Sequence, residues 1–253
     1  MAQDELSRWI VSCLLLGLRI APVFAFAPPF TLTRMPRLFQ MLMGLGLSVA
    51  VVSGLRQSAL VADIRLSAII LAALREMALG TMFVLAFQAV FGALYLAGRT
   101  IDVQAGYGFA LLVDPKSQAP VPLVGTLFAY AAAAAFFSFG GHIDLLRLMA
   151  RSLDAIPLGQ WTMPVSIAPV AQFLSLVFLT AFGVAGASIL TMFLLDMTIA
   201  LLSRTVPQMN VLVLGFQVKS LVLFLVLPLS FGFSGAVFLH LMALTIQSLP
   251  RML

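Results

Sequence analysis

The sequence predicts an all-α, membrane-associated protein, and three observations carry that prediction. Of its 253 residues, 62% are hydrophobic and only 9% charged, with a mean hydropathy of +1.12; soluble domains carry about 25% charged residues. The charges sit in thin islands, so that residues 77–98, 155–195 and 220–250 contain none over 22, 41 and 31 positions. Crossing a hydrocarbon core about 30 Å thick takes about 20 apolar residues of helix. Finally, Arg19 and the adjacent Arg75 and Glu76 interrupt stretches that would otherwise read as clean spans. A lone charge in lipid costs at least roughly 2.5–3.5 kcal/mol, so it faces protein or a water-filled path. These residues must meet partners.

The elements follow in order. Residues 6–27 form a first helix, bent at Pro22 by the missing amide and the ring clash, and ended by Pro28 and Pro29. The Ala25-Phe26-Ala27 triplet has the form of a signal-peptide cleavage site. Asp4 and Glu5 in the leader, Arg19 in the apolar region and Pro28 after the cut speak against cleavage, so the segment is read as a retained helix. After the island of Arg34 and Arg37, residues 37–55 make a second helix. A third, 64–103, is long and carries Arg75 and Glu76 about three turns in. Residues 104–119 break the pattern with two glycines and Asp114-Pro115.

A fourth helix, 121–138, contains five consecutive alanines at 131–135, small residues that let helix backbones approach closely in lipid. Residues 142–154 read as amphipathic, with Ile143, Leu146, Met149, Ala150 and Leu153 on one face and Asp144, Arg147 and Arg151 elsewhere. An irregular connection from Pro157 to Pro169 precedes a fifth long helix at 170–203. Segments 211–228 and 231–249 read as a hairpin around Pro228 and Gly232. This is one domain, with no linker and no repeat.

Charge narrows the partners. The net charge of +5 comes from scattered arginines rather than a basic run, which points to anionic lipid or acidic protein surfaces and away from nucleic acid. Cys13 is the lone cysteine, cannot form an internal disulfide and reads as a small core residue. On six nominal spans, lysines and arginines divide evenly, six (Arg8, Arg56, Arg65, Arg147, Arg151, Arg251) against six (Arg34, Arg37, Arg99, Lys116, Arg204, Lys219). An imbalance normally sets orientation. Its absence means either that the six spans are wrongly drawn or that the helices do not cross a bilayer in simple alternation; insertion into a larger complex would relax both that rule and the cost of Arg19.

The break after Gln104 is the strongest local signal. Gly106 and Gly108 permit backbone that other residues resist, and Pro115 pushes Asp114 away from helix. Unwound backbone between apolar helices is tolerated where protein buries it or water fills a cavity. Tyr107, Phe109, Leu111, Leu112 and Val113 are bulky enough to occlude a narrow path. From residues alone the segment is either an interhelical loop packed on its neighbours or a gate. Arg75 and Glu76 pair with neighbouring helices or form an ion relay; Asp196 pairs with an arginine or serves a coupled ion. His142 caps a helix or lies at an interface, and His240 packs between helices. Arg204 places a cation at the negative end of the fifth helix. Metal-ligand and enzymatic motifs are missing: the sequence has no H-E-x-x-H, G-x-S-x-G, Walker A loop or C-x-x-C, so neither cofactor nor catalysis is expected.

The run Gln104-x-Gly106-x-x-Phe109 through Val113-Asp114-Pro115, then Pro122 and Phe139-x-Gly141-His142, resembles the FliR family of flagellar export-gate proteins. So does Arg204-x-x-Pro207-Gln208-Met209-Asn210, followed by Gly215-Phe216 and Lys219. Arg19 and Pro36-Arg37 match in kind, and the similarity spans the whole chain; Gln217 departs from it, standing where many relatives carry proline. Injectisome counterparts, the SctT family, share much of the pattern. The resemblance implies kinked helical hairpins, with a FliP-like part over residues 1–165 followed by a FliQ-like hairpin over 166–253, wound into a helical pore assembly that sits largely above the membrane plane. It implies FliP-like and FliQ-like partner subunits, FlhA-like and FlhB-like export components, unfolded flagellar substrates, and a place in the inner membrane at the flagellar basal body. It also implies that the loop at 106–123 is a pore plug, with Gly106, Tyr107, Gly108, Phe109, Leu111, Leu112 and Val113 sealing it. Arg19, Arg75, Glu76, Asp114 and Arg204 would then make structural polar contacts. The rival reading is a stand-alone secondary carrier or channel whose path is lined by Arg19, Arg75, Glu76 and Asp196.

Overall fold

The computed structural model describes residues 2–32, 36–54, 61, 65–107, 122–161, 167–205, 210 and 213–228. Every regular element among them is an α-helix: α1 (Ala2–Phe26), α2 (Pro28–Thr31), α3 (Arg37–Ser53), α4 (Leu66–Gln104), α5 (Leu123–Ser138), α6 (Gly141–Ala155), α7 (Ala168–Thr205) and α8 (Val213–Pro228). The helix expected at 231–249 lies outside the described residues. Helix α1 continues through Pro22 to Phe26, and Pro28 and Pro29 open the single turn of α2, where a proline costs nothing because first-turn amides have no intrahelical partner.

Among the described residues, three helices are long and apolar enough to cross a membrane: Glu5–Phe26 within α1, α4 and α7, or four spans if α5 and α6 count as one broken span. Helix α4 has 39 residues and α7 has 38; at 1.5 Å per residue each rises about 57–58 Å, nearly twice the hydrocarbon thickness.

The chain divides into two compact units. The first gathers described residues within Met1–Ala89 and Phe136–Phe173. Its core holds Leu15, Leu16, Ile20 and Val23 of α1, Leu79, Phe83 and Phe87 of α4, and Leu145 and Met149 of α6. Phe30 anchors an aromatic cluster, with ring centroids 4.6 Å from Phe24, 6.1 Å from Phe136 and 5.9 Å from Phe137. Helices pack closely where side chains vanish. A β-carbon on Gly44 would sit 2.9 Å from Cα of Ala21, and one on Gly80 2.6 Å from the Arg19 carbonyl oxygen.

The second unit gathers described residues within Val90–Ala135 and Leu174–Leu241. Helices α4 and α5 meet at Gly98 and Gly125: a β-carbon on Gly98 would lie 2.6 Å from Cα of Gly125. Such approach replaces the hydrophobic gain that lipid does not supply. Of the alanine run, Ala132 and Ala133 are buried. Helix α7 buries a narrow stripe, Val177, Ala181, Val184, Ala185, Ser188 and Met192, at helical spacing, while Leu179, Leu190, Phe193, Leu194 and Leu201 stay exposed.

The amphipathic helix α6 corrects the sequence reading. Its buried residues are Leu145, Leu148, Met149, Ser152 and Leu153, while Ile143 and Ala150 of the expected face are exposed. The rotated face turns Ser152 inward, where its hydroxyl accepts from a buried arginine. His142 does not cap: the N-cap is Gly140, and the imidazole lies inside α6 with its centroid 5.8 Å from that of Phe137.

Candidate functional site

Two polar ties organise the described residues. The first centres on Arg19, which α1 carries into the first core with no exposed surface. Its Nε donates to Glu76 Oε2 at 2.5 Å and its Nη2 to Glu76 Oε1 at 2.9 Å. This is the two-pronged geometry that makes arginine the preferred partner of a carboxylate. Nη1 donates to the Ser152 hydroxyl at 3.1 Å and Nη2 also to the Ile156 carbonyl at 3.1 Å. Ser152 in turn donates to the Met149 carbonyl at 2.6 Å. Glu76, equally buried, accepts at Oε1 from the Gly159 amide at 2.8 Å, and Arg75 Nη1 donates to the Gly159 carbonyl at 2.8 Å.

One guanidinium thus ties α1, α4, α6 and the turn after α6. The two charges are costly to bury, and the bonds to Ser152, Ile156 and Gly159 help the attraction to offset that cost. Gly159 has φ +74°, a left-handed backbone that presents its amide to Glu76 and its carbonyl to Arg75, and a β-carbon there would meet that of Ala72 at 2.9 Å. Arg19 therefore needs no sister subunit: its partner is 57 residues along the same chain.

The second tie lies where α4 ends. Asp102, 4% exposed, accepts from the Val124 amide at 3.0 Å through both carboxylate oxygens and from the Gly125 amide at 3.2 Å. Beyond it, Gly106 adopts φ +86° and the Tyr107 amide returns to the Asp102 carbonyl at 3.0 Å. The Tyr107 ring stands edge-on to Phe216 of α8, centroids 6.0 Å apart. Lys219 of α8 donates to the Gln104 carbonyl at 2.9 Å, at the negative end of the α4 dipole, and pairs with Asp196 of α7 at 2.5 Å. Asp196 is thus paired with a lysine, not an arginine. Arg204 is exposed in the last turn of α7. Gly108, Phe109, Leu111, Leu112, Val113 and Asp114, like His240, lie outside the described residues.

Sequence reasoning passed over Asp102 altogether. A signal was present: an acidic residue just before a helix break, with Pro122, which has no side-chain acceptor, at the start of the next helix. Among the described residues, no group of three or more histidines, cysteines or carboxylates could hold a metal ion.

Long apolar helices whose buried charges meet one another or the backbone define a helical membrane protein that holds its segments in place by polar ties. The chain belongs to the family described as bacterial export proteins, family 1, whose model matches residues 10–245. It is similar to the flagellar biosynthetic protein FliR of Bacillus subtilis (strain 168), 30% identical over 188 residues, 72% of each chain. The FliR of Escherichia coli (strain K12) is 28% identical over 145 residues, 57% of this chain and 56% of its own length. The Yop proteins translocation protein T of Yersinia pestis is 31% identical over 156 residues, 60% of each. The chain thus matches little more than half the length of the Escherichia coli relative.

Proposed function

We propose that the chain is a component of a flagellar type III protein-export gate, seated in the bacterial inner membrane at the basal body, that passes unfolded flagellar subunits without chemistry of its own. In this reading residues 1–165 form a FliP-like part and 166–253 a FliQ-like hairpin. FliP-like and FliQ-like subunits surround the chain, with FlhA-like and FlhB-like components nearby. Gly106, Tyr107, Gly108, Phe109, Leu111, Leu112 and Val113 form the plug of the closed pore.

One observation carries the reading: the chain leaves α4 through a left-handed glycine, Gly106, and rejoins the helices at Pro122, with Asp102 bonded to the amides just beyond that point. A segment anchored at both ends suits a stopper. The exposed apolar residues Leu38, Met41, Leu42 and Leu45 on α3 and Leu179, Leu190 and Leu194 on α7 suit lipid and neighbouring subunits. A stand-alone carrier would need charges left over for its substrate, whereas Arg19, Arg75, Glu76 and Asp196 are all engaged within the chain.

Deleting residues 108–112 from the assembled gate is expected to let small ions leak across the membrane while assembly survives. Unchanged ion permeability in that deletion would remove the plug. The Yersinia relative, as similar as the flagellar ones, favours a second reading as the injectisome counterpart of the same gate. Restoring motility to a bacterium that lacks its own flagellar counterpart decides between them.

A further inference from the structure

The start of α5 carries an anomaly. The Pro122 carbonyl accepts the first helical bonds, from the Thr126 amide at 3.0 Å and the Thr126 hydroxyl at 2.6 Å, which makes Pro122 the N-cap. An N-cap side chain ordinarily accepts from the second and third amides of its helix. Proline cannot. Those amides belong to Val124 and Gly125, and both are taken by Asp102, 22 and 23 residues earlier on another helix. The cap of α5 is therefore supplied from α4. A few residues away the two helices touch backbone to backbone, with no room for a β-carbon at Gly98 or Gly125.

We propose that Asp102 is a positioning residue that locks the end of α4 to the start of α5, so that the two ends of the intervening segment stay together while the protein works. A cap from within α5 would stabilise that helix equally well but would not bind the end of α4. Replacing it by a carboxylate on α4 makes helix capping and helix pairing one interaction. The negative charge also suits the positive end of the α5 dipole. The juncture is a fixed frame for the two helices it joins. This extends the plug reading and rests on it for the link to ion leakage.

The test uses the complete gate with three variants of this chain: Asp102→Asn, Asp102→Ala, and Asp102→Ala combined with Pro122→Ser. The double variant restores an acceptor at the N-cap without restoring the bridge. Hydrogen exchange of backbone amides at 101–107 and 122–128 reads the juncture; ion leakage reads the seal. Asp102→Asn, which keeps one acceptor oxygen but loses the charge, is expected to fall between the parent and Asp102→Ala in both. The double variant is expected to accumulate like the parent, yet to exchange at 101–107 about tenfold faster, the loss of a hydrogen bond to a charged group, and to leak.

Parental exchange in the double variant overturns the proposal, because Asp102 would then be a cap and nothing more. A double variant that no longer accumulates overturns it as well, since the bridge would be a requirement of folding. If Asp102→Ala alone fails to fold, the double variant still decides. Faster exchange without leakage leaves the lock standing and removes the plug.

Discussion

Arg19 and Glu76 meet in the first core through two charged hydrogen bonds, with no solvent exposure on either side chain. Removing one partner strands the other. Glu76→Gln or Arg19→Met is expected to destabilise the protein by about 3–5 kcal/mol. Arg19→Met with Glu76→Leu is expected to recover much of that loss, because a buried pair can often be exchanged for apolar groups of similar volume. Thermal unfolding of the purified gate in mild detergent checks both; a double variant as damaged as the singles would contradict the account.

Gly159→Ala combines a left-handed backbone with a β-carbon 2.9 Å from that of Ala72. The strain alone costs about 1–2 kcal/mol, and the displaced turn loosens the hold of Glu76 and Arg75. Lower unfolding temperature and faster proteolysis near the turn are the expected readouts.

Gly98→Ala and Gly92→Ala form a matched pair on one helix. A β-carbon at Gly98 would lie 2.6 Å from Cα of Gly125, whereas one at Gly92 meets nothing within 4 Å. Gly98→Ala is expected to lower accumulation of the folded chain, with about 1–3 kcal/mol for overpacking. Gly92→Ala is expected to be neutral or to gain stability by up to about 1 kcal/mol through helix propensity.

Asp196→Asn removes a carboxylate that is 47% exposed. Such a pair is worth about 0.2–1 kcal/mol and is screened by salt, so the expected loss is small and shrinks as ionic strength rises. A loss as large as that of Glu76→Gln would show that Lys219 depends on Asp196 far more than its exposure implies.

Helices were more legible in the sequence than the ties between them. Periodicity and proline punctuation placed α4 at 64–103, and it runs from Leu66 to Gln104; α7 was placed at 170–203 and runs from Ala168 to Thr205. Those signals are local. The partners of Arg19, Asp102 and Asp196 are not: they lie 57, 22 and 23 residues away, and nothing in a linear pattern selects them. Ser152 shows the same limit. By hydropathy it belongs on the wet face of α6, and only the guanidinium across the core explains why it points inward.

Two residues beyond Gly159, in the turn that Glu76 and Arg75 grip, stands Trp161, one of two tryptophans in the chain, 8% exposed and with its indole nitrogen unpartnered among the described residues. With Trp9→Phe in place, the emission of this remaining indole becomes a built-in optical gauge. A blue-shifted band reports a closed grip and a red shift its release, so the state of a buried charge can be followed in real time without a label.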